Sequence, residues 1–129
     1  MERGETMIVA GIGCRKDCPA EDILALLREA MADAGIESID LLASADLKAN
    51  EAGLAQAAAA LGLPLRLFSQ PALEAVTASI SMRSACVKRL TGLESVAEAA
   101  ALAGAGFGAR LIVPRIANAR ATCALAHGA

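Results

Sequence analysis

The chain contains no tryptophan and no tyrosine, and Phe68 and Phe107 are its only aromatic side chains apart from the single histidine, His127. That shortage excludes the stacking platforms on which proteins hold single-stranded nucleic acid. The net charge is −2 and the pI about 5.4, so the basic stripe that a phosphate backbone requires is missing too. Charged residues make up only 20% of the chain against 56% hydrophobic ones, which excludes a disordered polyelectrolyte. No uninterrupted apolar run approaches the roughly 18 residues that a membrane span needs. The opening Met1–Thr6 is polar and acidic, unlike a secretory signal, so a cytoplasmic protein is expected. One histidine, two residues from the end, is a poor base for a nucleophilic triad, because a terminal tail does not hold an imidazole within hydrogen-bond reach. The four cysteines (Cys14, Cys18, Cys86, Cys123) are expected to be reduced thiols, and Cys14 and Cys18 have the wrong gap for the usual zinc or redox pair.

What the chain does have is a chemically pointed opening. Met7–Gly13 is a short apolar run ending in Gly11-Ile-Gly13, followed by Cys14, Arg15 and Lys16, and then by the helix signal Pro19-Ala-Glu-Asp22. A buried strand, a glycine turn and a helix N-terminus with two cations beside it direct backbone N–H groups and the positive helix end at one small volume. Such a place favours a carboxylate or a phosphate. It is not a dinucleotide fingerprint: Lys16 stands where the third glycine belongs, and the acidic residue that would hold a ribose is missing from a strand end. It is not a P-loop either. The plain alternative is a tight turn with solvated cations.

Strand and helix signals then alternate. Pro19–Ala34 has Ile23, Leu27, Ala30 and Ala34 on one face, with Asp17 or Cys18 as its cap and Gly35 as its stop. Ser38–Ala45 is a second strand, Glu51–Leu61 an alanine-rich helix with Leu54, Ala58 and Leu61 inward, and Pro64–Ser69 a third strand. Gln70–Val76 begins a helical turn; Thr77–Gly92 carries a weak signal, with Ser81–Leu90 either a helix or a mobile cover. Leu93–Ala103 is a helix with a capping-box spacing at Ser95 and Glu98, ended by Gly104, Gly106 and Gly108. Ala109–Ile116 and Arg120–Ala126 form a hairpin through Ala117-Asn-Ala119, with Pro114 expected at an edge or bulge. The alternation predicts a single α/β domain over residues 1–129, with 1–6 as a polar tail. Its core is a three-layer mixed sheet of about five strands, mostly parallel, with a C-terminal antiparallel hairpin and flanking helices. The turns Gly13–Lys16, Asp46–Asn50 and Ser69–Pro71 would then share the carboxyl edge of the sheet, where open α/β folds bind ligands.

The second of those turns packs Asp46, Lys48, Asn50 and Glu51 together. Asn50 suits a helix cap and Glu51 meets the helix dipole; alternatively, Asp46 or Glu51 acts as an acid or base and Lys48 as an anion ligand.

Several of these segments occur together, and in the same order, in one family. Val9-Ala-Gly-Ile-Gly-Cys-Arg-Lys16, Pro19-Ala-Glu-Asp-Ile23, Ala45-Asp-Leu-Lys48, Asn50-Glu-Ala-Gly-Leu54, Gly62-Leu-Pro-Leu65, Phe68-Ser69, Ser95-Val-Ala-Glu-Ala-Ala100 and Leu111-Ile-Val-Pro-Arg115 resemble the CobE and CbiG C-terminal family of cobalamin biosynthesis. The likeness runs from about Met7 to Ala126. The chain departs from the family pattern at Asp17 and Cys18, where a glycine and a small hydroxyl residue are usual, at Asn50, where an aspartate is usual, and at Gly92-Leu-Glu-Ser95. The resemblance implies a role in building the corrin ring, with a precorrin or corrinoid as ligand and other pathway enzymes as possible partners. It implies no resident cofactor and no metal ligands. Precorrins are flat macrocycles ringed by acetate and propionate arms. Gly11, Gly13, Cys14, Arg15, Lys16, Asp46, Lys48, Asn50, Ser69 and Arg115 are the ligand-binding candidates. CbiG-type proteins are associated with opening a precorrin δ-lactone and losing a two-carbon fragment; if this chain shared that chemistry, the catalytic candidates would be Asp46 and Glu51, either of which could activate the water. An accessory subunit of another pathway enzyme is the third possibility.

Overall fold

A strand flanked by helices on both sides must bury alternate residues against two different layers. β1 (Ile8–Cys14) does so from Val9 onward, where every residue is buried. In the computed structural model, Ala10, Ile12 and Cys14 join one core cluster while Val9 faces another on the opposite side. The structure describes residues 7–14, 17–46, 51–81, 96–106, 109–118 and 120–128. Around β1 are α1 (Ala20–Ala34), β2 (Leu41–Ala45), α2 (Ala52–Leu61), β3 (Leu65–Phe68), α3 (Gln70–Ser81), α4 (Val96–Ala105), β4 (Arg110–Ala117) and β5 (Ala121–His127).

The strands form one five-stranded sheet in the order β3-β2-β1-β5-β4. β1, β2 and β3 pair in parallel, and β5 is antiparallel to both of its neighbours, so four strands point one way and β5 alone runs back. This is the expected mixed α/β sheet with its terminal hairpin. Pro114 lies on edge strand β4, within an interruption of the pairing between Val113 and Ile116. At that position its missing N–H costs the ladder nothing.

α1 and α2 cover one face through Ile23, Leu26, Leu27, Ala30, Leu54, Ala57 and Ala58, against Ile12, Leu42, Cys123 and Leu125. α4, with α3 beside it, covers the other. That second interface is built from small residues: Ala97, Ala99, Ala100 and Ala101 on the helix, and Ala43, Ala45, Ala124 and Ala126 on the strands. The helix consequently approaches the sheet backbone. A Cβ at Gly11 would lie 1.9 Å from the Ala97 carbonyl oxygen, and one at Gly104 would lie 2.8 Å from Val9 Cγ1.

Several expectations are corrected. Gly11 and Gly13 belong to β1, so the glycine turn is not a turn; the chain leaves the sheet only after Cys14. Gly104 lies inside α4 as a contact residue, and the helix runs on to Ala105. α1 is capped by Pro19, without a side-chain cap from Asp17 or Cys18. Leu61, expected inside, is 39% exposed, and Ala57 takes the inward position. α3 reaches Ser81, beyond Val76. The cover expected at Ser81–Leu90 lies, apart from Ser81, outside the described residues, as does Ser95. Gly35 and Gly62 stop α1 and α2 with φ of 69° each, the left-handed conformation that glycine adopts without strain. Among the described residues no helix is long and apolar enough to cross a membrane.

Candidate functional site at the carboxyl edge of the sheet

Parallel pairing decides which loops meet. Gly11 lies beside Ala43, and Ala45 beside Phe68, so the segments after Cys14, Ala45 and Phe68 all leave the same edge. β5 begins at Ala121 opposite Cys14, which brings the β4–β5 turn to this edge as well. Four connections thus converge: the β1–α1 loop, the β2–α2 loop, the β3–α3 junction and the terminal hairpin.

The first two are joined directly. Asp17 has φ of 62°, a left-handed conformation uncommon outside glycine, and its backbone N–H donates to Glu51 Oε1 at 2.8 Å. Beneath this bond, Gly53 in the first turn of α2 lies so close to the first loop that a Cβ there would be 2.0 Å from the Cys18 carbonyl oxygen. Glu51 is the N-cap residue of α2, yet its side chain does not cap that helix.

Asp46 stands exposed immediately after β2. Ser69 caps α3: its Oγ accepts from the Ala72 N–H at 3.3 Å and its carbonyl from the Leu73 N–H at 3.1 Å. At the hairpin, Asn118 Oδ1 accepts from the N–H groups of Arg120 and Ala121 at 2.9 and 2.8 Å, while its Nδ2 donates to the Asp22 carbonyl at 3.1 Å. Arg120 Nε lies 3.8 Å from Asp22 Oδ2, an ion pair with the Arg120 side chain 57% exposed. Asn118, Arg120 and Asp22 were not singled out in the sequence. The available signal was the asparagine at the tip of a hairpin, where its side chain closes the turn on its own backbone.

Cys14, Asp46, Glu51 and Ser69 are therefore brought to one edge. Arg115 is placed by register near it, two residues before the end of β4. Gly11 lies deeper, beneath α4. Gly13 is a buried strand residue whose carbonyl faces Thr122 Oγ1 at 3.4 Å. Arg15, Lys16, Lys48 and Asn50 lie outside the described residues. Below the edge, the buried Ser44 hydroxyl donates to the Ile12 carbonyl at 2.6 Å, tying β2 to β1 just behind their exits. His127 is a correction in kind: it is no frayed tail but part of β5, opposite Ile8 and Arg110. It nevertheless sits at the other end of β1, about 20 Å away at ~3.3 Å per residue, and so cannot serve this edge.

Cys14, Cys18 and Cys123 are buried cysteines outside any disulfide. Burial, with Cys14 and Asp22 adding to it against the opposing Arg120, pushes the Cys18 thiol up to about 11. Burial alone pushes Cys123 up to about 12. Both thiols are thus held neutral more firmly in the folded chain than in the unfolded one. Their contribution to stability is complete below the ordinary value of 9.0 and is lost as pH rises through about 11 and 12. Urea unfolding from pH 9 upward should show stability falling by up to about 1.4 kcal/mol per pH unit for each thiol. Cys123→Ala should be flatter across the same range. The absence of tyrosine removes one competing titration. Among the described residues, no group of three or more His, Cys, Asp or Glu could hold a metal ion.

Comparison with known proteins agrees with this fold. The family described as "Cobalamin synthesis G C-terminus" matches residues 8–126. Protein CobE from Sinorhizobium sp is 42% identical over 121 residues, covering 92% of this chain and 79% of that protein. The crystal structure of cobalamin biosynthesis protein chiG from Agrobacterium tumefaciens superimposes with a TM-score of 0.80 at 46% identity, covering 95% of this chain and 99% of that one. The crystal structure of CobE, a protein from the cobalamin (vitamin B12) biosynthetic pathway, does so with a TM-score of 0.77 at 39% identity, over 95% of this chain and 90% of that one. With the family model matching residues 8–126 and a curated relative 42% identical over 92% of the chain, the chain belongs to the CbiG C-terminal family of cobalamin biosynthesis.

Proposed function

We propose that the chain binds a precorrin or corrinoid intermediate, in the aerobic branch of cobalamin biosynthesis, at the carboxyl edge of its sheet. The observation that carries this reading is the convergence of the first two loops on one spot, where Glu51 Oε1 accepts the Asp17 N–H. In sequence, Asp17 directly follows Arg15 and Lys16, and Glu51 closely follows Asp46 and Lys48. A corrin precursor presents carboxylate arms around an apolar ring. Cations at Arg15, Lys16, Lys48 and Arg115 would take the arms, each charge-assisted bond contributing about 1.5–3 kcal/mol. With so few aromatics in the chain, aliphatic side chains would meet the ring.

A second reading uses the exposed carboxylate of Asp46 at the end of β2 as a base that activates water, making the protein a hydrolase of a precorrin δ-lactone. A third has the chain acting as an accessory subunit of another pathway enzyme. An absorbance titration with a panel of precorrins and corrinoids, followed over time, separates them. Binding without turnover, weakened about tenfold or more by Arg15→Ala and weakened by salt, supports the first. Turnover abolished by Asp46→Asn with binding retained supports the second. Absence of both binding and conversion overturns both, and capture of a pathway enzyme from cells making cobalamin then supports the third.

A further inference from the structure

Glu51 stood in the sequence as a candidate acid or base, yet the structure gives its carboxylate an occupation that needs neither role. As the N-cap residue of α2, with φ −84° and ψ 105°, it could have turned its side chain onto its own helix; no such bond forms. Its carbonyl alone serves the helix, accepting from Leu54 and Ala55 at 3.1 and 3.4 Å. The carboxylate reaches across to the Asp17 N–H, in a loop 34 residues away in sequence. Asp17 is the one described non-glycine residue with a positive φ, so the bond acts where the backbone is least comfortable. Gly53 lets the two segments meet at that point, its missing side chain leaving room for the Cys18 carbonyl.

We infer that Glu51 is a positioning residue that holds Asp17 in its left-handed conformation, fixing that point of the β1–α1 connection at the edge where the anionic arms of the ligand would bind. The inference rests on the ligand reading above for its consequence, though not for its geometry. A hydrogen-bond acceptor is all the Asp17 N–H requires, and the amide of glutamine supplies one; a general base requires the carboxylate itself. Glutamine at this position therefore separates the two roles, whereas alanine removes both.

The test has a readout that involves no corrin and one that does. The first is exchange of the Asp17 amide proton followed by NMR. It should be at least about tenfold faster in Glu51→Ala and close to wild type in Glu51→Gln. The second is binding of dicyanocobyrinic acid, a corrin with free carboxylate arms, with amidated dicyanocobinamide as control. Glu51→Ala should weaken the acid about tenfold, and Glu51→Gln should restore it to within about twofold. Unchanged Asp17 exchange in Glu51→Ala overturns the positioning role. Tighter binding by Glu51→Ala also overturns it, making the carboxylate a competitor for the ligand's own arm. Turnover lost in Glu51→Gln with binding kept makes Glu51 catalytic instead. If the wild-type protein does not bind the acid, the ligand reading is what fails, and Asp17 exchange still decides what Glu51 does.

Discussion

Gly11→Ala should lower the stability of the fold by about 3 kcal/mol or more, at the upper end of what overpacking a core costs. The added methyl would lie 1.9 Å from the Ala97 carbonyl oxygen, 2.5 Å from the Ala101 nitrogen and 2.9 Å from Ala101 Cβ. The two shortest contacts are with helix backbone, which no rotamer change can relieve. α4 must move off the sheet, and the alanines on both sides of that interface lose the contacts that bury them. The measurement is the midpoint of urea unfolding with its slope unchanged. Two comparisons sharpen it. Ala101→Gly in the Gly11→Ala background should rescue little, because it removes only the side-chain contact. Gly35→Ala meets nothing within 4 Å and pays only for its positive φ, so it should cost about 1 kcal/mol. A Gly11→Ala chain as stable as Gly35→Ala would show that α4 slides freely over β1.

The same glycine marks where the sequence stops being legible. Its position after an apolar run, two residues before another glycine, suits a phosphate-cradling turn, and the need it meets comes from Ala97 and Ala101, far along the chain. Local pattern encodes local conformation well. The alternating segments, the stops at Gly35 and Gly62 and the bulge at Pro114 follow from backbone preferences that act within a few residues. Pairing order is different in kind: nothing within Ala121–His127 says that it slots between β1 and β4, because that depends on which edge of the parallel sheet is left open. His127 reads as tail from the sequence for this reason, since only its partners Ile8 and Arg110 reveal it as strand. At the site, the convergence of Cys14, Asp46, Glu51 and Ser69 was legible because parallel strands send their exits to one edge. The Asp17–Glu51 bond was not, since it depends on the φ of a single residue and on the direction in which one carboxylate turns.

Gly53→Ala is the second large effect expected, and it differs from Gly11→Ala in what it disables. Its methyl would lie 2.0 Å from the Cys18 carbonyl oxygen and 3.1 Å from the carbon of that group, again a collision with backbone. What gives way here is the N-terminus of α2 against the first loop, at the rim of the fold and away from the helix that seals the sheet. The expected stability loss is about 2 kcal/mol, while affinity for a corrin with free carboxylate arms should fall at least about tenfold, because the two loops no longer meet. Gly11→Ala, by contrast, should bind normally in whatever fraction remains folded. The Glu51–Asp17 bond and the Gly53–Cys18 contact belong to one junction, so their losses should not add: Glu51→Ala in the Gly53→Ala background should weaken binding little further. Fully additive losses would mean that the carboxylate and the glycine act on the ligand separately. Wild-type affinity in Gly53→Ala would mean that the two loops need not touch for the site to work.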